Sequence, residues 1–164
     1  MWSERGQHDR FLSVLAALDP QPGETLLDYG CGTGSLAELL PTGVVYTGYD
    51  WSTGMVERAR RDHPGHLYTA TQPPYPFDLV AAIGPFNLAD SWSQTRTWKV
   101  LADLWSRCNR KVAVCLYAGA DPDCLVYSMG DCQAFAESTG SDWRATRHLP
   151  NDILLTLDRG AVRR

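Results

Sequence analysis

The residues best suited to chemistry stand together near the start of the chain, in Leu26-Leu27-Asp28-Tyr29-Gly30-Cys31-Gly32-Thr33-Gly34. An apolar run ending in glycines that alternate with small residues lets a ligand approach the backbone, and it aims free amides at any negative group the ligand carries. Asp28, two residues before the first glycine, works the other way: it repels a phosphate and holds an ammonium. A pyrophosphate-binding turn needs GxGxxG, whereas the spacing here is GxGxG with Ser35 where the third glycine should be. Both departures favour a ligand with a positive centre over a dinucleotide. A second acid, Asp50, closes another apolar run sixteen positions after Gly34, and Trp51 and Ser52 follow it.

Those side chains need elements to hold them. Residues 8–19 place Phe11, Leu12, Leu15, Ala16 and Leu18 on one helical face, and Pro20 and Pro22 end that helix. Strands are expected at 25–28, 44–49, 67–69, 77–83 and 111–117, with a hairpin of 143–149 and 152–158 turning at Pro150 and Asn151. Between them, helices are expected at 35–40, from the Ser52 cap to about 62, at 94–108 and at 131–138. Strands that alternate with helices predict a parallel, doubly wound sheet, and the closing hairpin adds its antiparallel part. The run 77–83 is apolar almost throughout, as a strand buried on both faces requires.

Composition bounds the rest. A chain of 164 residues is the size of one domain, read here as 1–22, an N-terminal helix or lid, and 23–164, the core. Fifteen basic against nineteen acidic side chains leave a net charge of −4, which argues against tight nucleic-acid binding. The Arg58, Arg60 and Arg61 cluster reads as a solvated face. No apolar run reaches the roughly 18 residues a bilayer span needs, and the polar start is unlike a signal peptide. Five cysteines, none in a CxxC pair, suggest neither a disulfide framework nor a zinc site. No carboxylate–histidine spacing suits another metal, so none is expected, and a reducing cytoplasm is the natural location.

The segment Asp28 to Gly34, with Asp50-Trp51 and the Ser52 and Met55 pattern behind it, resembles the class I S-adenosylmethionine (SAM) dependent methyltransferases, and the resemblance covers essentially the whole chain. It implies an α/β, Rossmann-like, seven-stranded and mostly parallel sheet with an antiparallel C-terminal hairpin and helices on both faces. It also implies SAM as cofactor and S-adenosylhomocysteine (SAH) as product. On that likeness Asp28, Gly30, Cys31, Gly32, Thr33 and Gly34 hold the methionyl part, and Asp50 takes the ribose hydroxyls. Trp51, Ser52 and Met55 flank the adenine, and Gly84 borders the methyl group. Many relatives place an Asp after the third strand to meet the adenine amine; this chain has Thr69-Ala70-Thr71-Gln72, so a side-chain oxygen of Thr71 or Gln72, or else backbone groups, is expected to substitute.

Gly84-Pro85-Phe86-Asn87 departs from the [DN]PP[YF] of DNA and RNA amino-methyltransferases, so a nucleobase amine is not implied. Instead Phe86 is expected to line the methyl pocket and Asn87 to orient a substrate, unless Asn87 is only a turn residue. His148, beside Pro150 and Asn151, is the best placed histidine for a general base, with a surface turn as the alternative. Gln7 or Arg10 on the first helix is in position to reach the SAM carboxylate, and Trp2 to cover it. The implied activity is methyl transfer to a small-molecule acceptor. Alternatives are a non-catalytic SAM-binding subunit or sensor, and an enzyme using SAM for other chemistry. A homodimer or a partner protein stays open, with Trp92 and Trp143 as surface aromatics that suit an interface.

Overall fold

The computed structural model describes residues 4–160, so Trp2 lies outside the described residues. Seven strands form one sheet: β1 (Thr25–Tyr29), β2 (Val45–Tyr49), β3 (Leu67–Thr69), β4 (Phe77–Ile83), β5 (Cys108–Tyr117), β6 (Asp142–Arg147) and β7 (Asp152–Asp158). Their spatial order is β3-β2-β1-β4-β5-β7-β6. The first five strands run parallel, and β7 is antiparallel to both β5 and β6.

Alternation along the central strands divides the core into two layers. From β5, Val112, Val114 and Leu116 face Leu101, Leu104 and Trp105 of α3 (Gln94–Ser106) and Phe135 of α4 (Met129–Ser138). Ala113 and Cys115 face the opposite layer, with Val14, Leu15 and Leu18 of α1 (Glu4–Leu18) and Val56 and Ala59 of α2 (Thr53–Asp62). Each large apolar side chain so buried contributes roughly 1.5–3 kcal/mol. Among the described residues no helix is long and apolar enough to cross a membrane.

Local signals explain the helix starts. Ser52 caps α2 by accepting the Met55 amide at 3.4 Å, and Ser128 with Asp131 forms a reciprocal capping box on α4. One expected helix is absent as such: 35–40 is a 3-10 helix, Ser35–Leu39. Pro41 is the reason, because its ring would clash with the Ala37 carbonyl in an α-helix. The chain closes instead with short i to i+3 bonds, Ala37 N–H to Gly34 O at 3.0 Å and Leu40 N–H to Ala37 O at 3.5 Å. Trp92 also differs from expectation. It is only 8 % exposed, packed edge-on to Phe86 at 4.8 Å, and so belongs to the core.

Candidate functional site

The carboxyl ends of β1, β2 and β4 open on a cavity of about 550 Å³, where a parallel sheet places its ligands. Five residues singled out from the sequence line it together: Gly30, Asp50, Trp51, Gly84 and Asn87. Gly30 sets the distance between two walls of the cavity. It sits at φ +79°, and a Cβ there would lie 2.5 Å from Cβ of Pro85, so only glycine lets the loops after β1 and β4 meet. Gly32 faces open space, with nothing within 4 Å of where its Cβ would stand.

Asp50 ends β2 and is 6 % exposed. Its Oδ2 accepts the Gly32 amide at 2.9 Å and its Oδ1 the Ser52 amide at 2.8 Å. The carboxylate thereby pins the glycine loop to the start of α2, and each oxygen keeps a lone pair for a ligand in the cavity it lines. The free loop amides expected from the sequence are largely spent. Gly30 and Cys31 donate to Tyr49 O at 2.7 and 2.9 Å, and Gly34 to Cys31 O at 2.9 Å. A site whose amides are used internally, and whose wall carries a carboxylate, suits a cation better than a pyrophosphate.

Asp28 lies behind the loop, buried, and accepts the Tyr46 hydroxyl at 2.8 Å. Burial pushes its carboxyl up to about 7, against the pull of the Tyr46 hydrogen bond and with a further push from Asp50. The folded protein therefore holds this proton up to about pH 7, whereas the unfolded chain loses it near 3.8. Between those values the folded state binds more protons, so this group makes stability fall as pH rises, and its whole penalty stands above pH 7. Asp28→Asn, which still accepts from Tyr46, is expected to flatten that slope. In urea unfolding its stability relative to wild type should improve by about 2–4 kcal/mol between about pH 4 and about pH 8. Parallel pH profiles for the two proteins would refute the assignment.

Asn87 is 3 % exposed and oriented by the backbone. Its Oδ1 accepts the Tyr117 amide at 3.2 Å, which fixes Nδ2 as the other arm, and Nδ2 has no partner. A buried donor without a partner costs about 1–3 kcal/mol, so a ligand acceptor in the cavity that Asn87 lines would relieve that cost. Asn87 is also a turn residue, since its amide donates to Gly84 O at 3.3 Å.

Residues 1–121 match a protein family described as a methyltransferase domain. The chain belongs to that family. A demethylmenaquinone methyltransferase of Beutenbergia cavernae is 42 % identical over 59 residues, 35 % of this chain and only 25 % of that protein's length. Among solved structures, a magnesium protoporphyrin IX methyltransferase from Synechocystis with bound SAM has a TM-score of 0.76 at 21 % identity, covering 95 % of this chain and 81 % of that one. A TehB-like SAM-dependent methyltransferase from Corynebacterium glutamicum has a TM-score of 0.70 at 18 % identity, covering 91 % and 86 %. At these identities the likeness is one of fold.

Other expected residues of this methyltransferase domain stand elsewhere. Phe86 does not line the cavity: it is fully buried, stacked on Tyr29 with centroids 5.8 Å apart. Its backbone turns the ring into the α3–α4 layer, and its carbonyl accepts the Tyr127 hydroxyl at 3.1 Å. Thr71 is exposed and tied to Thr69, whose Oγ1 accepts its amide at 3.0 Å, while Gln72 donates to Asp103 of α3 at 3.3 Å. Neither lines the cavity. Cys31, Thr33 and Gly34 shape the loop from behind. Burial holds the Cys31 thiol well above its ordinary range, so it stays protonated. Met55 is exposed on the first turn of α2 beside the cap Ser52.

His148 is the largest displacement. It sits past the end of β6, and β7 is inserted between β5 and β6, so the His148 turn is carried to the sheet's edge. There its ring is hydrogen-bonded to Ser13 of α1, in a groove of about 640 Å³ that shares no lining residue with the Asp50 cavity. Arg10 of this methyltransferase domain is committed to Asp152, with Nε to Oδ2 at 2.8 Å. Among the described residues no group of His, Cys, Asp and Glu could hold a metal. Sequence reasoning missed Leu88, Asp121, Asp123 and Cys124, which complete the cavity. It also missed Tyr46, the partner of Asp28. The β1–β2 register that pairs Leu26 with Tyr46 and Asp28 with Gly48 is the signal that finds Tyr46.

Proposed function

We propose that this chain transfers a methyl group from SAM to a small-molecule acceptor and releases SAH. The observation that carries the reading is one cavity on whose wall Asp50 keeps two lone pairs, beside a glycine loop whose amides are already spent. Those features fit a ligand with hydroxyls and positive centres. The chemistry supplied at such a site is an electrophilic methyl group on a sulfonium, displaced in line by a lone pair of the acceptor. Asp50 would hold the ribose hydroxyls, and the half-exposed Trp51 at the rim offers a ring face to the adenine. Tyr29, 6.5 Å from Trp51, and Trp92, 5.9 Å from it, support that ring from the core. Asp28 would stand behind the methionyl end as a buried acid that keeps its proton up to about pH 7. Asn87 Nδ2 is placed to receive an acceptor oxygen and steady it for attack. A small acceptor is consistent with the menaquinone and porphyrin precursors named for two relatives.

Calorimetric titration with SAM, SAH and NAD tests the reading. SAM and SAH are expected to bind at about micromolar Kd and NAD not at all. Absence of SAM and SAH binding would sink it. Once an acceptor is in hand, His148→Ala should leave kcat within about twofold of wild type, whereas loss of a working general base costs about 100-fold or more.

A further inference from the structure

The cavity has a second half that SAM binding, as proposed above, does not use. Its walls come from the loops after β4 and β5, which the backbone ties together. Leu88 pairs with Cys124, Ala89 N–H donates to Asp123 O at 3.2 Å, and Leu125 N–H to Asn87 O at 2.9 Å. The Asp121 amide donates to the Tyr117 hydroxyl at 3.0 Å, and Asp121 Oδ1 accepts the Asp123 amide at 3.0 Å. The Asp121 carboxylate is thus fixed at the far wall, and the exposed Asp123 is held beside it by its backbone. With Asp50 they make three acids among the lining residues, and among the described residues no Lys, Arg or His lines the cavity. An independent feature points to a ligand at the same place: the buried Asn87 Nδ2, without a partner, on the wall shared with Leu88 and Cys124.

We infer that the acceptor is a small molecule carrying a protonated amine, which Asp121 and Asp123 hold while Asn87 Nδ2 donates to an oxygen of the same molecule. The inference rests on the methyl-transfer reading and gives it a substrate class. Carboxylates in a cleft with apolar walls focus a negative potential that gathers cations and turns anions away. An acceptor bearing a carboxylate would meet three like charges among the lining residues. A neutral acceptor would leave the charge of the two aspartates unmatched.

The test uses the full chain saturated with SAH and two matched sets of probes. One set is 2-aminoethanol, ethylene glycol and glycolate; the other is tyramine, tyrosol and 4-hydroxyphenylacetate. Binding is read by ligand-observed NMR for wild type and for the Asp121→Asn/Asp123→Asn double variant. The amine of at least one set should bind about tenfold or more tighter than its alcohol, and the acid not detectably. In the double variant the amine should fall to the level of the alcohol, with the SAH Kd within about twofold of wild type. The inference is overturned if no amine preference is seen, if no probe binds, or if the preference survives in the variant. It is also overturned if the variant loses SAH, because the aspartates then belong to the cofactor. If wild type itself does not take up SAH, the methyl-transfer reading has failed first.

Discussion

Asp50→Ala is expected to raise the Kd for SAM by at least about 100-fold, to a level that calorimetry no longer resolves. Two effects add. The ligand loses the carboxylate that would hold its hydroxyls, and hydrogen bonds to a charged partner are worth about 1.5–3 kcal/mol each. The Gly32 and Ser52 amides also lose their acceptor, so the glycine loop and the entry to α2 are no longer clamped to one another. Since tenfold in Kd is about 1.4 kcal/mol, the first effect alone accounts for the predicted loss. Asp50→Asn separates the two: one amide oxygen can still accept from one backbone donor, so the fold should hold better than in Asp50→Ala while SAM binding stays weak. A SAM affinity within about threefold of wild type in Asp50→Ala would remove this residue from the cofactor site.

Asp152→Ala is expected to be the most destabilising single change, by about 3–5 kcal/mol in urea unfolding. Asp152 is fully buried at the start of β7, and Arg10 of α1 reaches it at 2.7 Å from a side chain only 11 % exposed. Removing the carboxylate takes away the charge that meets the buried guanidinium through both Nε and Nη2. The pair is not fully satisfied even in the native protein, because Asp152 Oδ1 is buried without a hydrogen-bond partner. Replacing both partners, as Arg10→Met with Asp152→Leu, should therefore recover most of the loss. A single variant less than about 1 kcal/mol below wild type would show that the contact carries little.

The sheet and the elements that form the Asp50 end of the cavity were largely legible in the sequence, because their signals are local. The 77–83 run, the Ser52 cap and the glycine cluster each specify their own structure through burial, capping or backbone freedom, and β4, α2 and the loop after β1 appear where those signals lie. What was not legible depends on contacts distant in sequence. His148 looks well placed in a linear reading because it follows a strand parallel to the others. The insertion of β7 between β5 and β6 then moves it beside Ser13. Phe86 and Asn87 are neighbours with opposite fates, since a turn sends one ring into the core and leaves the other side chain on the cavity wall. Asp121 and Asp123 carry no motif, and ties between loops distant in sequence, such as Leu88 with Cys124 and Ala89 with Asp123, bring them to the site.

The clasp between α1 and β7 also bears on how the chain is made. Arg10 must wait for a residue 142 positions later, and at about 5–20 residues per second that delay on a ribosome is roughly 7–30 s. For most of it, the apolar face of Val14, Leu15 and Leu18 has emerged while β5, which it packs against, has not, and β7 is missing to the end. Helix α1 is thus made early and clasped late. A nascent chain arrested before residue 152 should still be cut by protease near α1, and the full-length chain should be protected there.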